Sequence, residues 1–267
     1  MKANILGFYR TLLCLFGWLI PTAIIAQEWD DKILITQCSD TYDFVMDAGK
    51  PIVKNEKRVV FQSNSASTVY PEMMVLYGEF IKLDDVSGSG DKIYKNITPE
   101  NVFYDDTKGC LLRGEIRKKG KTSKGSYERT FKDIKYFTRV YLLEDYFVCD
   151  KTVTIKIPKE LSGYHIQEMN FKGFPIESSH ETTSDGEVYR YTIKQAKRMK
   201  EEDNMPPFAN VYPYLLIKGS FADVNALYTW SKEMSNVDTT IPNIKAILTE
   251  INAQSKTDID RISNTFH

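Results

Sequence analysis

The sequence predicts a mainly β protein, an antiparallel β-sandwich of eight or more strands followed by a short C-terminal α-helical extension. From about Lys32 to Lys218 the apolar residues recur with period 2, in short runs separated by turn residues, and after Gly219 the period becomes helical. An apolar leader precedes both regions. The organisation expected is a signal peptide over 1–26, a sandwich domain over 27–219 and a helical extension over 220–267.

The clearest strand covers 152–157, where Val153, Ile155 and Ile157 point one way, Thr152, Thr154 and Lys156 the other, and Pro158 ends the run. Residues 134–143, rich in aromatic and β-branched types, are expected to pair with it as a hairpin over Glu144-Asp145-Tyr146. Further strands are expected at 58–62, 73–83, 102–104, 110–117, 165–171, 188–193 and 211–218. Turn chemistry marks the loops 87–91, 118–125 and 184–187. Beyond Gly219, Ser220 with Asp223 forms a capping-box pattern, and Val224, Leu227, Trp230 and Met234 make a helical stripe. A second helix is expected from Pro242, with Ile244, Ile247, Leu248 and Ile251 on one face, and a third after Ser255 and Asp258.

The leader has Lys2 and Arg10 ahead of an uncharged apolar run over 11–26 that contains Pro21. A run of 16 residues is shorter than the roughly 20 that a membrane-spanning helix needs, so it reads as a secretory signal. Cleavage is expected between Ala26 and Gln27, giving an exported protein, periplasmic or secreted, with no stable membrane anchor. The 35 Lys plus Arg against 36 Asp plus Glu give a net charge of -1, and removal of the leader makes it -3. That balance argues against a nucleic-acid function, which needs a positive surface to displace counterions. Cys38, Cys110 and Cys149 remain, too few and too widely spaced for a disulfide framework, and they read as buried small hydrophobes with at most one bridge.

Motifs that suggest chemistry fail on spacing. Gly114 to Thr122, GEIRKKGKT, resembles a phosphate-binding loop but has five residues between its glycines where four are needed, and no apolar helix follows; a basic hairpin loop is the better reading. His165, His180 and His267 are the only histidines, so neither a zinc site nor a Cys-His nucleophile is expected. The acid groups at Glu201-Glu202-Asp203, Asp84-Asp85 and Asp105-Asp106 read as solvated loops. Asn96-Ile97-Thr98 matches a glycosylation acceptor. No catalytic residue, metal or cofactor is expected.

The stretch TFKDIKYFTRVYLLEDYFVCDKTVTIKIPKEL from Thr130 to Leu161, then Asn170-Phe171, Met205-Pro206-Pro207 and Pro213-Tyr214, resembles exported Bacteroides-type proteins. Those proteins carry a β-sandwich domain of unknown function in front of a transglutaminase-like domain. The resemblance places the catalytic Cys, His and Asp in the later domain, and no residue of this chain matches them. It therefore implies a non-catalytic module with an interaction or scaffolding role. A protein partner is expected to meet the C-terminal helices through Leu227, Trp230, Ile244 and Ile251. Two rivals remain: a carbohydrate-binding sandwich with an exposed aromatic platform, and a hydrolase or transferase using carboxylates from separate loops.

Overall fold

The computed structural model describes residues 31–97, 106–235 and 243–265. The chain divides into two compact units at Lys218–Gly219, and each is taken by itself. In the first, β1 (Ile33–Asp47), β2 (Lys50–Ser63), β4 (Ile81–Gly88), β7 (Thr122–Phe131), β9 (Phe147–Pro158), β11 (Ile176–Thr182) and β12 (Gly186–Ala196) form a seven-stranded sheet. Its order is β11-β12-β9-β1-β2-β7-β4, antiparallel throughout except for the parallel pair β1 and β9. Two antiparallel three-stranded sheets accompany it. One joins β3 (Glu72–Tyr77), β6 (Lys108–Arg113) and β5 (Asp91–Asn96), and the other joins β10 (His165–Met169), β13 (Tyr214–Lys218) and β8 (Arg139–Tyr141). A short helix, α1 (Phe208–Val211), precedes β13.

One contiguous core draws on all three sheets: Ile35, Val53, Val153 and Ile155 from the large one, Val75, Cys110 and Leu112 from the second, and Val140, Leu215 and Ile217 from the third. Each fully buried aliphatic contributes about 1.5–3 kcal/mol against exposure. Period 2 is what puts these residues on one face of each strand, and it makes the opposite face of the large sheet polar. The long β1–β2 hairpin closes through Ala48-Gly49, both with positive φ (47° and 79°), the turn whose twist matches paired strands.

Several expectations are corrected. Residues 134–143 do not pair with β9: Ile134–Tyr136 is a 3₁₀ turn, and β8 pairs with β13 in another sheet. The reason is visible in burial, since Ile134, Phe137, Val140, Leu142 and Leu143 are all buried at spacings no strand can bury on one face. The run 73–83 is two strands in different sheets, and 110–117 ends as β6 before an isolated bridge between Val69 and Ile116. Residues 114–122 close no hairpin, because β6 and β7 belong to different sheets. The expected strand at 102–104 lies outside the described residues. The Asn170 and Pro213-Tyr214 region is a clamp: Asn170, at φ 58°, donates from Nδ2 to the carbonyls of Ala209 (2.8 Å) and Tyr212 (3.2 Å).

The second unit contains α2 (Val224–Met234), α3 (Ile244–Gln254) and α4 (Asp258–Thr265). Asp223, not Ser220, caps α2, accepting from the Ala226 amide at 2.8 Å. On α4 the reciprocal box is Thr257 with Asp260, not Ser255 with Asp258: the Asp260 amide donates to Thr257 Oγ1 (3.1 Å) and the Thr257 amide to Asp260 Oδ2 (2.9 Å). Pro242 lies outside the described residues. No helix among them is long and apolar enough to cross a membrane.

Gly186 begins β12 at φ 150°, and a Cβ there would stand 2.1 Å from the carbonyl oxygen of Ile157 on β9. Gly186→Val is expected to cost about 2–4 kcal/mol in urea unfolding, because both the backbone region and the space exclude a side chain. An unchanged unfolding midpoint would show that the β9–β12 pairing relaxes freely at this end.

Candidate functional site

Charged residues occupy inward positions on four neighbouring strands. On β1 the inward row is Cys38, Asp40, Tyr42 and Phe44; on β2 it is Val53, Asn55, Lys57 and Val59; on β7, Tyr127, Arg129 and Phe131; on β9, Lys151, Val153 and Ile155. Lys151 is 1% exposed. Above these strands the loop between β8 and β9 lowers Glu144 onto the face. Its Oε1 accepts from Lys151 Nζ at 2.5 Å and from Lys57 Nζ at 2.7 Å, and its Oε2 accepts from Lys57 Nζ at 2.8 Å. Because the strand order is β9-β1-β2, the carboxylate spans β1 and ties the strands on either side of it. Cys38 lies beneath, its Sγ 4.0 Å from Glu144 Oε1. The Glu144 carbonyl also accepts from the Met199 amide at 2.8 Å.

A second chain of bonds continues across the face. Arg129 Nε donates to Asn55 Oδ1 (2.8 Å), Asn55 Nδ2 donates to Asp40 Oδ1 (2.7 Å), and the Tyr42 hydroxyl donates to Asp40 Oδ2 (3.1 Å). The register brings these partners together, since Asn55 stands opposite Arg129 on one side and Tyr42 on the other, with Asp40 on the diagonal. The Arg129 guanidinium also sits over the rings of Phe131 and Tyr127, at 5.0 and 5.3 Å.

The surroundings shift the titration of Glu144, Lys57 and Cys38 away from neutral pH. Burial alone would raise the Glu144 carboxyl, but Lys151 and Lys57 outweigh it and bring it down to about 2. Burial alone would lower the Lys57 ammonium, and Glu144 instead holds it well above its ordinary value. Burial pushes the Cys38 thiol up to about 12, and burial likewise raises the Tyr42 and Tyr127 phenols. Held in this way, the Glu144 carboxylate is a weak base, the Lys57 ammonium a weak acid and the Cys38 thiol does not form its nucleophilic thiolate near neutral pH. Asp145 is shifted the other way, raised by burial and then by the charge of Glu144.

The acids singled out in the sequence are dispersed. Asp84, Asp85 and Asp106 line a groove of about 620 Å³ together with Lys82, Lys92 and Lys108. There Asp84 accepts from the Thr130 hydroxyl at 2.6 Å and pairs with Lys82, and Asp106 accepts from the Glu79 amide. Burial would raise Asp84; its bonds to Lys82 and Thr130 hold it below its ordinary value. Glu201, Glu202 and Asp203 are exposed on a separate loop, and Asp105 and Thr98 lie outside the described residues. Among the described residues no group of three metal-ligating side chains converges, and Cys38, Cys110 and Cys149 are free thiols. Among the described residues Tyr42, Tyr127, Tyr191 and Tyr214 are buried, and the exposed Tyr70, Tyr94 and Tyr228 come from separate segments of the chain.

Of the residues expected to meet a partner, Leu227 is 41% exposed, and Trp230, Ile244 and Ile251 are half-buried. Val224, Tyr228, Ile247, Leu248, Ile259 and Ile262 are more exposed than these. Ala26 and Gln27 lie outside the described residues. Sequence reasoning missed the buried network, although parity carried a signal for it: Lys57 shares the parity of Val59 and Phe61, and Lys151 that of Val153 and Ile155.

No family model and no curated protein matches the sequence. Among solved structures the chain is similar to a "putative protease" from Parabacteroides distasonis, at 12% identity and a TM-score of 0.57 over 87% of this chain and 49% of that one. It is also similar to a "putative nutrient binding protein" from Legionella pneumophila, at 9% identity and a TM-score of 0.44, covering 87% of this chain and 84% of that one. The first likeness is one of fold alone, and this chain spans about half the length of the Parabacteroides protein.

Glu144→Gln is expected to cost roughly 3–5 kcal/mol in urea unfolding, because two buried ammonium groups lose their counter-charge. A loss below about 1 kcal/mol would place the lysines in water. The pH dependence follows from the depressed Glu144 value. Its stabilisation is complete above the ordinary 4.5 and is lost as pH falls toward about 2. Unfolding free energy measured across that window is expected to fall by on the order of 3 kcal/mol, with a shallower slope in Glu144→Gln.

Proposed function

We propose that the chain is a non-catalytic β-sandwich module of an exported protein, periplasmic or secreted, with a protein-interaction or scaffolding role. It is related in this reading to the domain that precedes transglutaminase-like domains. The observation that carries it is the geometry of the buried network: Glu144 is bonded to Lys57 and Lys151 between strands, and the Cys38 thiol beside it is held well above neutral pH, so these groups are spent on one another. Groups so arranged fasten strands and a crossover loop, and they leave recognition to the surface. The apolar side chains presented by α2, α3 and α4 support a docking role for the helical unit.

Export is tested by producing the full chain in a Gram-negative host and weighing the periplasmic product. The expected mass is that of a chain beginning at Gln27, and retention of residues 1–26 in the cytoplasm would sink this part of the reading. Docking is tested by affinity capture from periplasmic extract, with Leu227→Ser, Trp230→Ser and Ile251→Ser as the comparison. A partner retained by the parent and lost by a variant of unchanged circular dichroism is the expected result. Capture that is equal for parent and variant, or absent from both, counts against the helical face.

A further inference from the structure

At the β11 end of the large sheet the inward row is not aliphatic. Ser178 stands opposite Tyr191 and His180 opposite Tyr189, and Tyr189 and Tyr191 continue the inward row of Ile155 and Val153. These residues face His165, Gln167 and Glu168 of β10 and Lys218 of β13 across a cleft of about 570 Å³. The His180 and Tyr189 rings stack with centroids 4.2 Å apart and planes 8° from parallel. Glu187 positions both, accepting from the Tyr189 hydroxyl at 2.5 Å and lying 3.5 Å from His180 Nε2. The His180 side chain stays 47% exposed, so one face of the stack is open.

Tyr191 is the informative residue. It is 2% exposed and packs edge-on against Phe171, yet it also lines the cleft. Burial, then the charge of Glu168, holds the phenol above its ordinary value, so it is present as a donor. A hydroxyl at the wall of a cleft can donate to and accept from a ligand held there.

We infer that this cleft binds a neutral saccharide of one or two units. Its volume falls within the range of small-molecule sites. The open face of an aromatic stack suits the C–H face of a sugar ring, and Gln167, Ser178, Glu168, Lys218 and Tyr191 offer donors and acceptors together, as a set of ring hydroxyls requires. One carboxylate and one ammonium in the lining balance, which leaves a charged ligand no excess of opposite charge to meet. The inference is independent of the docking role of the helical unit, because every residue named lies in the first unit.

The test is saturation-transfer NMR on the full chain with cellobiose, maltose and N,N′-diacetylchitobiose, beside the anionic digalacturonate. Transfer to the ring protons of at least one neutral disaccharide is expected, with affinity little changed by added salt. Tyr191→Phe, which keeps the ring and its packing, and His180→Ala are each expected to weaken binding about tenfold with the thermal midpoint unchanged. No transfer to any of the three neutral sugars, equal binding in both variants, or binding of digalacturonate alone would overturn the assignment.

Discussion

The structure depends on one carboxylate held between two buried ammonium groups. Glu144 sits on the connection that leaves the β8 sheet and enters β9 of the large sheet, and its lysines belong to β9 and to β2, on either side of β1. One side chain therefore fixes a crossover and three adjacent strands. Desolvating three charges costs several kcal/mol each, so such a triad holds only if its geometry is good. Here three short bonds converge on the carboxylate. The second chain, from Arg129 through Asn55 to Asp40, extends the same logic to β7.

This arrangement favours register over raw stability. A slip of one residue on β2 or β9 would turn Lys57 or Lys151 outward and leave Glu144 buried without its counter-charge. A slip of two residues would keep the same face inward, and an all-aliphatic inner face would tolerate it more easily than one in which Lys57 and Lys151 must meet Glu144. The parallel contact between β1 and β9 has no short turn to set its register, and the triad supplies what a hairpin would otherwise provide. The ionisable groups of the triad are engaged with one another, and the surface and the inter-sheet cleft lined by Tyr189 and Tyr191 hold groups that are not.

Much of the strand content was legible. The run 152–157 lies within β9 with the faces that its alternation assigns, and the helical spacing after Gly219 marks real helices. Pairing was not legible. The segment over 134–143 looked like a strand because aromatic and β-branched residues favour sheets, but burial from several directions bends it into a 3₁₀ turn and a three-residue strand. Strands β1, β5, β7 and β11 were not singled out; β5, β7 and β11 are polar or glycine-containing runs, such as Thr122 to Ser126, that carry little alternation although their backbones pair. The caps shifted by a few residues for a similar reason: Ser220 and Ser255 fit the pattern, but Asp223 and Thr257 have the geometry.

By itself the sequence determined the class of structure and the local periods, because alternation and helical spacing are properties of neighbours along the chain. Only the tertiary structure decided that two lysines of like charge share one carboxylate, and that a buried tyrosine lines a cleft between two sheets. Lys57, Glu144 and Lys151 come from three separate segments, and Tyr191 meets Glu168 only when two sheets face each other. The charge of a residue is written in its type, while its partner depends on strand order and register, and those are set by the burial of many residues at once.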